Sequence, residues 1–341
     1  GLNDPQKSAV HRWVDSRPNQ DLCSKLASDE TQSWYRGYVM SRRLTRTEYN
    51  NAVRDLLQLE VPADRQMPED GAGGEGFDTV GDTLFTSTIH LEAYLTVATE
   101  LIDRLLDPED ANLPEPARRR REQWMQKQSE DGDRVFLQSL ARLAWRRPVT
   151  DSEVDRLMML VQPMPESTSA VSSLENLSRL RSALAALMVS PHFLFVVEAE
   201  PEQGGVQRLS PHQLAMRVSL LLWSSIPDES LLASADDKSI YDDGQLRAQV
   251  RRMLNDPRSR ALGESFGLQL LGLKSFAQVQ PDASIYASFN EQLKYDMQEE
   301  VILFVSSLFR DNRSLNELIE ADYTFANHRL AEHYGWPETD S

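Results

Sequence analysis

The residues whose types and spacing could do chemistry are concentrated in one acidic, glycine-rich stretch. Residues 66–103 contain no Lys or Arg, and the first part of that stretch alternates glycines with five carboxylates, namely Glu69, Asp70, Glu75, Asp78 and Asp82. Calcium binds about six to eight oxygen atoms of carboxylates and carbonyls, and glycines allow a loop to turn tightly around it. The stretch therefore predicts a calcium site, with Asp78 and Asp82 as its strongest ligands and Asp70 and Glu75 as weaker ones.

A second interpretation of the same stretch needs no metal. Short acidic side chains such as Asp70, Asp78 and Asp82 cap nearby backbone N–H groups or the next helix, and they pair with arginines from elsewhere in the fold. The spacing of the acids also differs from that of an EF-hand loop. A structural role for these carboxylates is therefore the alternative to calcium binding.

No other group of residues predicts catalysis. The sequence indicates neither a nucleophile elbow nor a dinucleotide-binding turn, and it has no HExxH zinc helix and no Walker loop. Neighbouring acids such as Glu299 and Glu300 fit the solvated face of a long amphipathic helix better than the paired carboxylates of a glycosidase. Whether the chain is an enzyme stays open at this point.

The cysteine content and the charge exclude several classes of protein. Cys23 is the single cysteine, which excludes an internal disulfide, a zinc site built on cysteines and a CxxCH haem attachment within this chain. The net charge of -17 disfavours binding to nucleic acid, which requires clustered Lys and Arg. No segment approaches the roughly 20 apolar residues of a membrane-spanning helix. We therefore expect no haem cofactor within this chain, no nucleic-acid partner and no membrane span.

Helices must position these side chains, because apolar residues recur at helical spacing and good N-caps precede them. Thr45 with Glu48 and Thr150 with Glu153 have the spacing of a capping box. Helices are predicted at residues 44–57, 90–106, 136–145, from 150 onward, 179–189, 210–223, 243–254, 258–271, 289–309, 314–319 and 327–334. Residues 107–133 are expected to form a linker or an exposed helix. The predicted fold is all-α, with multi-helix bundles in two or three packed helical domains and little or no sheet.

Four stretches together resemble one protein family. They are Tyr38–Leu57 (YVMSRRLTRTEYNNAVRDLL), Gly71–Tyr94, Leu140–Glu198, which ends SPHFLFVVE, and Leu209–Trp336, which ends DYTFANHRLAEHYGW. Over residues 35–338 the chain is similar to the cytochrome-c-associated proteins of unknown function that are abundant in planctomycetes. The modules of that family are known as domains of unknown function 1587, 1595 and 1592.

The resemblance implies four regions along the chain, at residues 1–34, 35–110, 134–200 and 208–338. The first is the end of a cytochrome-c-like domain followed by a linker. The others are helical modules of the types 1587, 1595 and 1592, called the first, second and third modules below, and the acidic stretch lies in the first module. The chain is accordingly expected to be the middle part of a longer protein whose flanking modules carry covalent haem c.

Because covalent haem is attached outside the cytoplasm, the resemblance implies a location in the periplasm or on the cell surface. The main hypothesis is a helical scaffold that lacks its own haem and docks a partner or a substrate between the flanking cytochrome c modules. A periplasmic protein or a polysaccharide is the expected external partner. Two alternatives remain: part of a periplasmic oxidoreductase or polymer-degrading enzyme whose site is completed by other modules, and a calcium-stabilised module that binds carbohydrate or protein.

Overall fold

The computed structural model of the chain describes residues 41–65, 67–71, 76–163, 172–198, 208–282, 284–286 and 288–336. Contacts divide the chain into two units, Gly1–Ser41 with Val197–Arg208, and Arg42–Val196 with Leu209–Ser341. All elements below belong to the second unit. The predicted cytochrome-like tail at residues 1–34 lies outside the described residues.

α-Helices dominate the described part of the chain. In chain order they are α1 (Arg46–Leu57), α2 (Thr88–Leu106), α3 (Glu115–Trp145), α4 (Asp151–Met158), α5 (Ser173–Ser178), α6 (Arg181–Val189), α7 (Pro191–Leu194), α8 (Pro211–Trp223), α9 (Glu229–Asp236), α10 (Asp243–Leu254), α11 (Leu268–Leu270), α12 (Glu291–Arg310), α13 (Glu317–Glu320) and α14 (His328–His333). A π-helix, Leu262–Gly267, runs directly into α11. Two short strands, β1 (Arg42–Arg43) and β2 (Phe195–Val196), pair antiparallel with Arg42 opposite Val196. The all-α fold with little sheet that the sequence predicts is confirmed.

A capping box starts at least one helix of each module. At α1, the Oγ1 of Thr45 accepts a hydrogen bond from the N–H of Glu48 at 3.1 Å, and the Glu48 carboxylate accepts one from the N–H of Thr45 at 2.9 Å. The same box begins α4 and α8. Each box satisfies backbone N–H groups that have no partner within the helix, and its N-cap side chain stabilises the protein by roughly 1 kcal/mol. Local sequence therefore fixes the residue at which α1 begins.

The first and second modules share one hydrophobic core, which Met216 and Ile226 of the third module also enter. Its fully buried side chains include Tyr49 of α1, Tyr94 of α2, Phe136 of α3 and Phe193 of α7. α2 packs along α6, and the pairing of β1 with β2 joins the start of the first module to the end of the second. Beside this pairing, the buried guanidinium of Arg146 donates to backbone carbonyl groups at positions 192, 193 and 195. These bonds satisfy acceptors that the end of a helix leaves without partners.

The third module has a second core, centred on Trp223 of α8. The indole N–H of Trp223 donates to the carbonyl oxygen of Met253 at 3.0 Å, and the guanidinium of Arg258 lies 3.5 Å from the centre of the same ring. The π-helix packs very closely against α12, because a Cβ atom at Gly263 would lie 2.6 Å from the carbonyl oxygen of Ile302. Only glycine permits this approach, which holds the π-helix and the residues after it against α12.

Of the two alternatives for residues 107–133, the structure shows the helix, and it differs from the predicted helices elsewhere. α3 already begins at Glu115 and is interrupted at Gly132, whose φ is +78°, so most of residues 107–133 are helical. One arginine of this helix, Arg121, donates to the carbonyl oxygen of Asp107 at 2.7 Å, just beyond the end of α2. The helix predicted at residues 258–271 is divided among a 3₁₀ turn, the π-helix and α11, and α5, α7 and α9 were not predicted. Of the helices described, none has the length and apolar character needed to cross a membrane.

Candidate functional site

A cleft of about 920 Å³ lies where the first module meets the third, and it is called the junction cleft below. Its walls are α1 and the acidic stretch on one side and the segment after the π-helix on the other. The polar residues that line it are Arg46, Thr47, Asn50, Asn51, Glu60, Glu69, Asp70, Asp78, Gln269, Lys274, Ser275 and Gln278. Ligand sites commonly have volumes of about 300–1,000 Å³ and often lie between domains, so the junction cleft is the candidate site.

One polar face of α1 forms the first wall of the junction cleft. Thr47, Asn50 and Asn51 are three and four positions apart, so they share a face of the helix. The opposite face carries Tyr49 and Val53, which are buried in the core. The Oδ1 atom of Asn50 is buried and has no hydrogen-bond partner among the described residues. The apolar face of α1 thus fixes the helix, and its polar face is left for a ligand.

A turn at residues 76–78 holds the acidic stretch against the third module. Gly76 has a φ of +86°, a conformation that favours glycine. The N–H of Asp78 donates to Oε1 of Gln269 at 2.8 Å, and the Asp78 carboxylate lies 3.0 Å from Nζ of Lys274. The Asp78 side chain is 10% exposed and that of Lys274 is 42% exposed, so water screens this ion pair from one side only. The turn therefore ties the two walls of the junction cleft together.

The π-helix positions the second wall. Gln269, just after the π-helix, donates from Nε2 to the carbonyl oxygen of Ser265 at 2.7 Å, so its amide is held at both ends. The ring of Phe266 stacks on that of Phe77 in the first module, with centroids 6.0 Å apart and planes at 23°. Departures from regular α-helix of this kind are frequent at functional sites. Here the π-helix brings Gln269 and Lys274 to the acidic stretch.

Asp70 links the junction cleft to the start of α1. Its carboxylate lies 2.6 Å from Nη2 of Arg43, and both side chains are 3% exposed. It also accepts a hydrogen bond from the backbone N–H of Arg46 at 2.6 Å. A carboxylate at the N-terminus of a helix interacts favourably with the helix dipole. Asp70 is therefore already neutralised by a protein cation and by backbone.

A buried polar cluster lies behind Asp70. Burial, together with the nearby charge of Arg43, lowers the pKa of His90, which keeps its imidazole neutral at pH 7. The Nδ1 atom of His90 lies 2.8 Å from the Oγ of Ser87, the N-cap of α2. The rings of Tyr49 and Tyr94 are 4.6 Å apart, and burial raises the pKa of both hydroxyls. The junction cleft is not lined by Ser87, His90, Tyr49 or Tyr94. We therefore assign this cluster a structural role.

The structure brings together two of the four predicted calcium ligands. Asp70 and Asp78 both line the junction cleft, whereas Glu75 and the side chain of Asp82 lie outside the described residues. Each of the first two lies next to a protein cation, as the metal-free interpretation predicts. In the described part of the chain, no three His, Cys, Asp or Glu side chains are grouped so that they could hold a metal ion. Calcium binding stays a prediction, because two of its four ligands are not described.

Sequence reasoning missed the amide and cationic groups of the junction cleft. Asn50 and Asn51 lie on a helix whose sequence pattern marks only its apolar face. Gln269 and Lys274 contact Asp78 from 191 and 196 positions further along the chain. A single sequence carries no signal for so distant a pairing. The one available indication was that buried carboxylates without local cations need cations from elsewhere.

Two glycine patterns that sequence reasoning passed over in this region have the spacing of a nucleophile elbow and of a dinucleotide-binding turn but lack their structural context. Gly263–Gly267 reads GESFG, the spacing of a nucleophile elbow, but it forms a π-helix and not a turn after a strand. The Oγ of Ser265 accepts from the Oγ of Ser224 at 3.1 Å. Gly71–Gly76 reads GAGGEG, the spacing of a dinucleotide-binding turn, but the described residues before it form no strand and those after it open no helix. Neither pattern supports the corresponding activity.

Ion pairs link the third module to the second, in addition to the apolar contacts of Met216 and Ile226 with the shared core. Arg142 of α3 donates to both carboxylate oxygens of Glu229 at 2.9 Å and also contacts Asp236. The Nε2 of His212 lies 2.8 Å from the Asp236 carboxylate. The Glu229 side chain is 72% exposed. A further hollow of about 720 Å³ lies between the end of α2 and α5, away from this contact.

Three family models match successive parts of the chain. Residues 42–107 match PSD3, a protein of unknown function (DUF1587), residues 133–198 match PSD5, a protein of unknown function (DUF1595), and residues 209–336 match PSD4, a protein of unknown function (DUF1592). The three modules named from the resemblance are thus present in the expected order. No curated protein and no solved structure is detectably similar to the chain. The junction cleft lies between the parts matched by the first and the last of these models.

Proposed function

We propose that the chain is a helical docking scaffold, which binds a ligand in the junction cleft and performs no reaction of its own. The observation that carries this proposal is the cleft itself, to which two modules far apart in sequence contribute side chains. Its walls are joined by contacts of Asp78 with Gln269 and Lys274. A site whose walls are already held in place loses less conformational entropy on binding, and this favours a docking role.

The charged groups of the junction cleft favour binding over acid–base catalysis. Asp70 lies 2.6 Å from Arg43, and Asp78 lies 3.0 Å from Lys274. A general base must be free to take a proton from the reacting group, and a close cation opposes this by favouring the charged carboxylate. An enzyme built on this cleft would therefore need acid and base groups from other modules.

The wider role that we propose comes from the resemblance to cytochrome-c-associated proteins. The scaffold would belong to an exported protein of the periplasm or cell surface, and the flanking modules would carry the haem, since this chain has no CxxCH. Fractionation of the native cells, followed by detection with an antibody against this chain, tests the proposal. We expect the protein outside the cytoplasm, in a band that stains for covalent haem. A cytoplasmic band without haem would contradict this part of the proposal.

The docking role is tested by adding probes of different chemistry to the isotope-labelled chain and recording backbone amide NMR shifts. The probes are cellohexaose and mannohexaose as neutral saccharides, hexagalacturonate as an anionic one, and a neutral Gly-Ser hexapeptide. We expect shifts at residues 46–51 and 269–278 with at least one probe, and we expect chromatography to return that probe intact. A complete lack of shifts with all four probes would show the proposal wrong. Cleavage of a probe would favour the enzyme alternative.

A further inference from the structure

Apart from that of Glu60, the charges of the junction cleft are paired within the protein. Asp78 pairs with Lys274 at 3.0 Å, and Asp70 pairs with Arg43 at 2.6 Å. Glu69 lies 3.7 Å from Arg46. An ionic ligand would have to compete with these pairs and would leave a partly buried charge without its partner, which is costly. The cleft is therefore suited to a neutral ligand.

The uncharged lining groups are mostly amides and hydroxyls. Asn50 and Asn51 project from α1, and Gln278 projects from the opposite wall. The buried Oδ1 of Asn50 has no partner among the described residues, although buried polar atoms in proteins are nearly always hydrogen-bonded. A side-chain amide offers both donors and an acceptor, and an alcohol does the same with one group. These lining groups are thus matched by a ligand that carries many hydroxyls.

Large apolar side chains are nearly missing from the described lining of this cleft. Leu270 is the one apolar side chain among the lining residues that the structure describes. Haem, flat cofactors and acyl chains are bound mainly by apolar and aromatic side chains, which are missing from this set. A peptide would find hydrogen bonds here but no pocket for an apolar side chain. We therefore expect hydrogen bonds to decide which ligand the cleft selects.

We infer that the junction cleft binds a neutral, hydroxyl-rich ligand of the saccharide class, read by Asn50, Asn51 and Gln278. This inference rests on the proposed docking function and names its ligand. Glu60 also lines the cleft and forms no ion pair among the described residues, so its carboxylate is free to accept hydrogen bonds from a pair of hydroxyls. The cleft volume of about 920 Å³ leaves room for more than one sugar unit, so an oligosaccharide is the form expected.

The inference is tested by titrating the full chain with cellohexaose and mannohexaose, in parallel with hexagalacturonate and the Gly-Ser hexapeptide. At least one neutral saccharide should bind more tightly than both other probes. Asn51→Ala and Gln278→Ala, on opposite walls, should each weaken that binding about fivefold, as expected for a lost hydrogen bond of about 1 kcal/mol. Gln123→Ala is the matched control, because this exposed amide lies on α3 outside the cleft, and it should leave the affinity unchanged.

The outcomes separate this inference from the docking proposal. If hexagalacturonate or the peptide binds in the cleft more tightly than both neutral saccharides, the saccharide inference is wrong and the docking proposal stands. If no probe shifts the cleft residues, both are wrong. Affinity that both cleft variants leave unchanged would also overturn the inference. Circular dichroism of each variant shows whether it is folded. Gln278→Ala lies in an exposed turn and should disturb the fold least.

Discussion

The third module makes two different junctions with the rest of the unit. Its polar contacts with the first module include a hydrogen bond from the backbone N–H of Asp78 and an ion pair between the nearly buried Asp78 and the exposed Lys274, and those with the second include Arg142 with two exposed carboxylates. Exposed ion pairs contribute little to stability, because water and salt screen them. A hydrogen bond to a fixed backbone atom also fixes the distance and direction between two modules, whereas an ion pair between exposed side chains does not. The junction with the first module is thus the one suited to keep a binding site in shape.

The largest expected effect is at Gly263, which sets the position of the second cleft wall. A Cβ atom there meets the backbone of α12 at 2.6 Å, so Gly263→Ala should lower the free energy of unfolding by about 1–3 kcal/mol. Urea denaturation measures this change. Gly71→Ala is the control, since nothing lies within 4 Å of a Cβ at that position, and it should cost under about 0.5 kcal/mol. Equal stability of both variants would mean that the close packing of the π-helix is not required.

The next largest effect is expected at Gln269, which tests its role in the junction between the first and third modules. Gln269→Leu removes the acceptor of the Asp78 N–H and the side-chain donor to the carbonyl oxygen of Ser265, which should cost about 1–2 kcal/mol. Gln278→Leu is the matched control, because this exposed side chain has no hydrogen bond in the described part of the chain. Denaturant unfolding of both variants provides the comparison. If both variants lower the free energy of unfolding equally, the junction between the first and third modules does not depend on Gln269.

The two junctions are compared directly by removing one cation from each. Lys274→Met should cost about 1–2 kcal/mol, since Asp78 is then left nearly buried and unpaired. Arg142→Met should cost less than about 1 kcal/mol, although Arg142 contacts two carboxylates, because those carboxylates are exposed. Raising the salt concentration should reduce the effect at Arg142 more than the effect at Lys274. A larger loss from Arg142→Met would reverse our ranking of the junctions.

A smaller effect on stability is expected from a change of pH at the junction between the second and third modules. Burial alone would raise the pKa of Asp236, but hydrogen bonds from Arg142 and His212 outweigh it and hold the pKa below its usual value of 3.8. The contribution of this carboxylate to stability is therefore complete above about pH 4 and is lost as the pH falls through its folded-state pKa. We expect Asp236→Asn to show a smaller drop in Tm than the unmodified chain between pH 5 and pH 3. Identical drops would show that this ion pair does not contribute.

The smallest expected effect is that of calcium. If the predicted ligands bind it, millimolar calcium raises the Tm, because a ligand of the folded state stabilises that state by mass action. The gain should be small, since Asp70 and Asp78 are already paired with Arg43 and Lys274. Melting curves with calcium and with chelator, for the unmodified chain and for Asp78→Asn, measure it. A large increase that Asp78→Asn abolishes would favour the calcium-stabilised module over the metal-free interpretation.

Local sequence predicted the helices well, because their signals lie within a few residues of one another. The capping box of Thr45 and Glu48 marks the start of α1, and α10 has the predicted limits, residues 243–254. The π-helix could not be predicted, since its geometry is tied to a contact between Gly263 and α12, about 40 residues later in the chain. Periodicity describes one helix at a time and contains no information about such contacts.

Sequence indicated the acidic residues of the candidate site but not their partners, because the partners lie far away along the chain. Asp70 and Asp78 were singled out by their charge and glycine-rich surroundings, and both line the junction cleft. Their partners were not, because Arg43 precedes a capping box like many structural arginines, and Lys274 lies 196 positions after Asp78. The amides of α1 carry no motif at all. Composition thus indicated one wall of the site, and only the fold supplied the other.

The position of a bound probe tests the central claim most directly. A crystal of the chain soaked in cellohexaose or mannohexaose should show the saccharide in the junction cleft, within hydrogen-bond distance of Asn51 on one wall and Gln278 on the other. Saccharide density in the hollow between α2 and α5, or contact with one module alone, would contradict the claim that the junction of the first and third modules is the docking site.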